Sequence, residues 1–205
     1  MKLFVTGVAG QLGHDVMNEL NKRGYEGVGS DLAPEYSGIQ DSTAVTTMPY
    51  ISVDITDASA VEKAITEAGV DGVVHCAAWT AVDLAEDDDK VEKVRKVNVT
   101  GTENIALACK KLDCKMVYIS TDYVFDGTNH LPYVETDNTC PASVYGRTKL
   151  AGEQALQEVC PDAVIIRTAW LYSEFGNNFV KTMLRLGNER EQLSVLFDQI
   201  GSPTY

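Results

Sequence analysis

The chain has 205 residues, of which 44% are hydrophobic and 23% are charged, a composition typical of a soluble globular domain rather than a disordered segment. Its formal net charge of -13 leaves no basic stripe that could replace phosphate counterions, so nucleic acid is not an expected partner. No apolar run is long enough to cross a bilayer and no secretory signal precedes the first apolar run, so we expect no membrane contact and a cytoplasmic location. The odd number of scattered cysteines, without metal-ligand spacing, predicts reduced thiols and no metal centre.

Short apolar runs alternate with helical patterns along the chain. The predicted strands cover residues 3–6, 25–30, 51–53, 72–76, 116–120, 164–167 and 194–197. The predicted helices include residues 11–23, 58–68, 91–112 and 144–159. Continuous apolar strands that alternate with amphipathic helices are typical of a parallel sheet with helices on both faces. The sequence therefore predicts an α/β fold with a Rossmann-type doubly wound sheet.

A glycine-rich turn, TGVAGQLG, follows the first predicted strand. Gly7 permits a tight turn, Gly10 lets a pyrophosphate approach the backbone, and Gly13 lets the helix pack closely on the strand. The helix that begins near Gln11 and Leu12 presents amide donors to phosphate groups. This pattern predicts a dinucleotide-binding loop; a glycine-rich turn without a ligand is the alternative.

The ends of the next strands offer further cofactor contacts. Asp31 is placed to bind the adenosine ribose hydroxyls, which favours NAD over NADP; a capping or turn aspartate is the alternative. Asp54 and Ile55 would bring a carboxylate and a backbone amide beside the adenine. Ala77 and Ala78 leave room for a flat ring and a ribose.

Three other features have structural interpretations. His75, at the end of the fourth strand, is either catalytic or a strand histidine with satisfied hydrogen bonds, and the second is preferred. The acidic run at residues 86–89 is expected to be a solvated loop or a helix start rather than a cation site. The irregular segment at residues 32–50 is longer than a tight adenosine loop and leaves the cofactor preference open.

Tyr145 and Lys149 lie four residues apart in a predicted helix, so they share one face. An ammonium beside a phenol would stabilise the phenolate and lower the pKa of the tyrosine. A half-buried tyrosine next to a snorkelling lysine is the alternative. Thr121, at the end of the fifth strand, can donate a second hydrogen bond to a carbonyl oxygen; a buried strand threonine is its alternative.

Longer motifs carry a resemblance to a known family. With the glycine loop and Asn98, these are AAWTAVD (77–83), STDYVFDG (120–127), YGRTKLAGE (145–153), RTAWLY (167–172), GNNFVKTML (176–184) and DQIGSPT (198–204). Over essentially the whole chain they resemble the dTDP-4-dehydrorhamnose reductases of the extended short-chain dehydrogenase/reductase superfamily. The resemblance implies NADPH- or NADH-dependent reduction of the C4 ketone of dTDP-4-dehydro-L-rhamnose in nucleotide-sugar and cell-surface polysaccharide biosynthesis.

The same resemblance implies roles for individual residues. Tyr145 would donate the proton. Lys149 would adjust the pKa of Tyr145 and hold the nicotinamide ribose, and Thr121 would polarise the substrate carbonyl. Asn98 would steady the lysine side of the cofactor site. Four residues would line the sugar-nucleotide site: Val82, Tyr123, Trp170 and Asn178. From the residues alone, Trp170 also fits a core aromatic and Asn178 also fits a helix cap.

The resemblance further implies that residues 1–205 form the dinucleotide-binding domain and that residues 170–192 contribute to a smaller substrate lobe. The rest of that lobe is expected to be missing, so the chain would be truncated. A homodimer and a magnesium ion are implied by analogy only. The alternatives are a sugar-nucleotide epimerase or dehydratase of the same superfamily, and a non-catalytic regulatory subunit resembling that of methionine adenosyltransferase. The intact Thr121, Tyr145 and Lys149 argue against the regulatory subunit.

Overall fold

The computed structural model describes residues 1–36, 48–196 and 198–205. In these residues six strands form one sheet in the order β3-β2-β1-β4-β5-β6, and every neighbouring pair is parallel. The strands are β1 (Lys2–Thr6), β2 (Glu26–Asp31), β3 (Tyr50–Ser52), β4 (Gly72–His75), β5 (Lys115–Thr121) and β6 (Val164–Thr168). The predicted doubly wound sheet is confirmed. Residues 37–47 of the irregular segment 32–50 lie outside the described residues.

Helices connect these strands. They are α1 (Gln11–Lys22), α2 (Ala58–Ala68), α3 (Val91–Arg95), α4 (Thr102–Leu112), α5 (Val144–Val159) and α6 (Phe179–Glu189). A π-helix, Lys96–Gly101, joins α3 to α4, so the helix predicted at 91–112 is continuous but widens in the middle. Two 3-10 turns, Asp83–Glu86 and Asp122–Val124, follow β4 and β5.

The strand predicted at residues 194–197 is wrong for the part that the structure describes. Residues 194–196 form no strand, and Phe197 lies outside the described residues. β6 is the last strand in the described sheet order, and residues 194–196 do not pair with its free edge. Val195 and Leu196 are instead exposed.

The core fills both sides of the sheet. Phe4, Ile105 and Leu156 belong to a buried cluster between the sheet and the helices α2, α4 and α5. Val5 and Met17 belong to a second cluster beneath α1. At the central strands β1 and β4, where both faces are covered, buried side chains follow one another rather than alternate with exposed ones.

The strand order reverses between β1 and β4, and the two loops that follow these strands meet there. Gly7 has a φ of +74°, and a β-carbon on it would lie 2.7 Å from the backbone nitrogen of Ala77. A side chain is therefore excluded at this position. In open α/β sheets the crevice at such a reversal is where ligands bind.

We predict that the start of α5 depends on its cap. The Ser143 hydroxyl oxygen accepts a hydrogen bond from the backbone N–H of Gly146 at 3.0 Å. Replacing a serine N-cap with alanine costs about 1 kcal/mol, whereas glycine costs only a few tenths. Ser143→Ala should therefore lower the free energy of unfolding, measured by urea denaturation, more than Ser143→Gly does. Equal effects of the two variants would contradict this role for the hydroxyl.

Candidate active site

The turn between β1 and α1 forms a cradle of backbone atoms. Gly10 is the N-cap residue of α1, and no side chain caps the helix there. A β-carbon on Gly13 would lie 2.3 Å from the carbonyl oxygen of Gly7, so the helix packs directly on the turn. Gln11 and Leu12 occupy the first turn of α1. A helix start without a side-chain cap, beside a glycine-rich turn, fits a pyrophosphate group.

Asp31 lies at the end of β2 beside this cradle. Its carboxylate accepts hydrogen bonds from the backbone N–H groups of Ala9 at 3.0 Å and Leu32 at 2.8 Å. The aspartate thus ties the glycine turn to β2, which is the structural alternative considered for it. A carboxylate accepts about four hydrogen bonds, so acceptor capacity for ribose hydroxyls remains.

Asp54 and Ile55 follow β3 and have local partners. The Asp54 carboxylate accepts hydrogen bonds from the backbone N–H and the hydroxyl of Thr56, both at 2.8 Å. The carbonyl oxygen of Ile55 accepts a hydrogen bond from Asn104 Nδ2 at 2.9 Å, and its side chain is buried. These contacts fix the turn at the predicted adenine end of the site.

His75 at the end of β4 is a structural residue. Its Nδ1 and Nε2 are hydrogen-bonded to the hydroxyls of Thr6 at 2.8 Å and Thr102 at 3.2 Å. Burial, with a smaller contribution from the charge on Lys149, lowers the pKa of His75 to about 3. The ring is therefore neutral, and the expectation of a satisfied strand histidine is confirmed. Ala77, two residues after His75, donates its backbone N–H to the same Thr6 oxygen at 3.1 Å.

Asn98 lies in the π-helix and connects two parts of the site. Its Oδ1 accepts the backbone N–H of Trp79 at 2.8 Å, just after Ala78. Its Nδ2 donates to the hydroxyl of Thr148 on α5 at 3.1 Å. The side chain thus holds the loop after β4 against α5, and its contact on α5, Thr148, directly precedes Lys149. π-turns inside helices are frequent at functional sites.

Tyr145 and Lys149 both lie on the buried side of α5, and the snorkelling alternative is wrong. Lys149 is 2% exposed, and Tyr145 is 9% exposed. The Lys149 ammonium donates to the carbonyl oxygen of Ile119 at 2.7 Å and lies 4.0 Å from the centre of the Tyr118 ring. Two of its three N–H donors remain for other partners.

The expected lowering of the tyrosine pKa by the lysine is not found in the protein alone. Burial raises the pKa of Tyr145, and the largest opposing effect is a hydrogen bond with Thr121. Burial also lowers the pKa of Lys149 to about 7, against the opposing charge of Glu153. The two side chains thus favour a neutral phenol and a lysine that titrates near neutrality.

Thr121 is buried at the end of β5 and faces the same region. Its hydroxyl donates to Asp122 Oδ1 at 3.1 Å and accepts the backbone N–H of Tyr123 at 3.2 Å. The Tyr123 ring meets the Tyr145 ring edge-on, with 5.6 Å between centroids. Val82 packs against the apolar cluster that includes Tyr145. The structure therefore brings Thr121 and Tyr123 to Tyr145, and it places Val82 against the apolar cluster to which Tyr145 belongs.

The other two predicted substrate residues follow β6. Asn178 caps α6 by accepting the Lys181 N–H at 3.0 Å, and its Nδ2 donates to Gln11 Oε1 at 2.9 Å. It therefore contacts the cofactor turn, as well as being the predicted cap. Trp170 has a φ of +49° and is 48% exposed, so it is not a core residue. Its ring lies against Gly201 rather than against Tyr123 and Tyr145.

Two carboxylates of this region escaped the sequence analysis. Glu86, in the acidic run, accepts the backbone N–H of Val144 at 2.6 Å and so fixes the start of α5. Glu153, one turn beyond Lys149, is 2% exposed and pairs with Arg167 at 2.6 Å. No local pattern marks Glu86 because its partner is 58 residues away. Glu153 shares the four-residue spacing of the tyrosine–lysine pair, which is a usable signal.

The residues that the structure describes hold neither a metal-binding cluster nor a membrane-spanning helix. No group of three or more His, Cys, Asp or Glu side chains among the described residues could hold a metal ion, so these residues do not support the magnesium ion implied by analogy. None of the described helices has the length and hydrophobicity needed to cross a membrane.

Comparison with known proteins identifies relatives along the whole chain. The family model described as "RmlD substrate binding domain" matches residues 1–205. The dTDP-4-dehydrorhamnose reductase of Salmonella typhimurium is 48% identical over 151 residues, which are 74% of this chain. A crystal structure of the Clostridium acetobutylicum dTDP-4-dehydrorhamnose reductase is 40% identical with a TM-score of 0.85, and that of the Bacillus anthracis enzyme with NADP is 41% identical with a TM-score of 0.85.

These proteins are longer than the chain. The matched region is 50% of the Salmonella protein, and the chain covers 65% and 66% of the two crystallised proteins, which in turn cover all of it. The motif-based resemblance to dTDP-4-dehydrorhamnose reductases is thus confirmed by both sequence and fold. The chain belongs to the RmlD substrate binding domain family.

Proposed function

We propose that the protein reduces the C4 ketone of dTDP-4-dehydro-L-rhamnose with NADPH or NADH. The observation that carries this proposal is that α5 sets Tyr145 against Thr121 and buries the Lys149 ammonium on the Ile119 carbonyl, both near the carboxyl end of β5. The glycine turn follows β1 at the same edge of the sheet, two strands away. The relatives named as dTDP-4-dehydrorhamnose reductases support the substrate, and the NADP in the Bacillus anthracis crystal structure supports the cofactor. A homodimer and a cytoplasmic location stay predictions.

The backbone cradle would hold the pyrophosphate of the dinucleotide. Gly10 keeps a side chain out of this space, Gly7 and Gly13 let the loop after β4 and helix α1 pack closely on the turn, and the start of α1 directs amides into the cradle. Asp31 would accept ribose hydroxyls and would disfavour the extra phosphate of NADPH. The bound nicotinamide would supply the hydride; the remaining steps fall to side chains of this chain.

Tyr145 would protonate the ketone oxygen as negative charge develops there. Its raised pKa keeps the phenol protonated at neutral pH but makes it a weaker acid, so the proton transfer needs a positive charge that stabilises the phenolate. Thr121 would donate a second hydrogen bond to the same oxygen by turning its O–H away from Asp122, to which it donates in the protein alone. One preorganised donor of this kind lowers a barrier by about 3 kcal/mol.

Lys149 would hold the nicotinamide ribose and then stabilise the phenolate. Its ammonium keeps one hydrogen bond to Ile119 and has two donors left, which suits contacts with a ribose hydroxyl and the phenol oxygen. The charge of Lys149 would thus lower the pKa of Tyr145 only once the cofactor orients both groups. This order reconciles the raised pKa in the protein alone with the proton transfer.

We predict that Gly10→Ala weakens NADPH binding without unfolding the protein. The new β-carbon would lie 3.2 Å from the Gly7 carbonyl oxygen, a tight contact that a small shift of the turn relieves, and it would occupy space next to the pyrophosphate. Crowding of this kind costs about 1–3 kcal/mol, which corresponds to roughly 5- to 150-fold in affinity. Fluorescence titration with NADPH measures the change. Gly187→Ala is the control, because its β-carbon meets nothing within 4 Å.

We predict that Tyr145→Phe in the full-length protein retains cofactor affinity but loses turnover. Loss of a positioned general acid lowers the rate by about 10²–10⁴-fold. The assay follows NADPH and NADH absorbance with the keto-sugar nucleotide as substrate. Unchanged turnover would refute the proton-donor role. Wild-type protein that purifies with stoichiometric NAD would favour the epimerase, and a stable partner protein without turnover would favour the regulatory subunit.

We predict that NADPH affinity falls as the pH rises through about 7. Lys149 carries its charge below its pKa of about 7 and loses it above, so its hydrogen bond to the ribose weakens on the alkaline side. A hydrogen bond to a charged group contributes about 1.5–3 kcal/mol, which corresponds to roughly tenfold or more in affinity. Binding titrations between pH 5.5 and 9 measure this change. The reference is Lys149→Met, whose NADPH affinity should be lower than that of the wild type and independent of pH. An identical pH slope in that variant would assign the effect to another group.

A further inference from the structure

Helix α5 carries three functional groups in a row on its buried side. Tyr145, Lys149 and Glu153 are spaced by four residues, so a phenol, an ammonium and a carboxylate follow one another along one face. The proposed mechanism uses the first two only. Glu153 is 2% exposed, and a carboxylate buried so deeply is costly unless its partners satisfy it.

The partners of Glu153 lie on two strands. Its Oε1 accepts hydrogen bonds from the Ser120 hydroxyl and from Arg167 Nε at 3.0 Å, and its Oε2 accepts from Arg167 Nη2 at 2.6 Å. Ser120 directly precedes Thr121 in β5, and Arg167 lies in β6. The carboxylate therefore fixes the position of the Thr121 end of β5 relative to the helix that carries the tyrosine and lysine.

Glu153 is also the charged neighbour of Lys149 in the described part of the chain. The titratable groups near the ammonium come from the end of β4, from β5 and from α5: His75, Cys76, Tyr118 and Glu153. Tyr145 precedes Lys149 by four residues on α5. His75 is neutral, and burial raises the pKa of Cys76 to about 12 and also raises the pKa of both tyrosines. The carboxylate thus opposes the tendency of burial to discharge the lysine.

We propose that Glu153 is a positioning residue, whose carboxylate fixes the Thr121 end of β5 against α5 and keeps Lys149 in its ammonium form. The inference rests on the proposed function in so far as Lys149 holds the nicotinamide ribose. Arg167 moderates the effect, because its guanidinium neutralises part of the carboxylate charge. Removing the carboxylate and removing the guanidinium should therefore act on Lys149 in opposite directions.

An NMR titration of the lysine side chains tests this in the chain of residues 1–205. The Lys149 signal is assigned by its loss in Lys149→Met. Glu153→Gln should lower the pKa of Lys149 by about one unit or more, because an opposite charge is lost. Arg167→Met should raise that pKa, because the carboxylate is left uncompensated. A purely structural role would loosen the packing in both variants and move the pKa in the same direction.

Ser120→Ala is the matched control. It removes a hydrogen bond to the carboxylate but no charge, so the pKa of Lys149 should stay close to that of the wild type. An unchanged pKa in Glu153→Gln, or shifts of equal sign in the two charge variants, would overturn the inference. If Glu153→Gln does not fold, Arg167→Met decides by itself: a Lys149 pKa that does not rise in that variant overturns the inference. The titration needs no ligand, so failure of wild-type protein to bind NADPH would count against the proposed function instead.

Discussion

The site depends on the burial of a charged side chain between α5 and the sheet. Lys149 is 2% exposed, and its ammonium is held by the Ile119 carbonyl and the face of the Tyr118 ring. An ammonium is costly to bury unless such partners replace water. Because those partners lie on β5, the contact fixes the rotation of α5, and the phenol of Tyr145 consequently faces the end of that strand, where Thr121 lies.

The parallel sheet brings the two halves of the site to a common edge. The glycine turn after β1 and the loop after β4 meet at the strand reversal, and the end of β5 is the next position along. Two hydrogen-bonded contacts join segments far apart in sequence. Asn98 holds the loop after β4 against α5, and Asn178 links the start of α6 to Gln11 in the cofactor turn. The cofactor cradle, the proton donor and the segment after β6 are thus mechanically connected.

Sequence reasoning succeeded where the determinant is local and failed where it is tertiary. The glycine turn and the spacing of Tyr145 and Lys149 are short-range patterns, and they predicted the fold and the paired helix face. The pKa of Tyr145 depends on burial, so its direction was predicted wrongly from the spacing alone. The contact between Glu86 and Val144 spans 58 residues and has no local signature. The apolar run at residues 194–197 resembles a strand, but local hydrophobicity does not reveal whether a neighbouring strand is present.

A crystal structure of the full-length protein with NADP⁺ tests the central claim most directly. The account predicts that the nicotinamide ring lies at the carboxyl ends of β4 and β5. Its ribose hydroxyls should be within hydrogen-bond distance of Lys149 Nζ, and the phenol of Tyr145 and the hydroxyl of Thr121 should point to one position beside the ring. A ring bound elsewhere, or a lysine without contact to the ribose, would contradict the account.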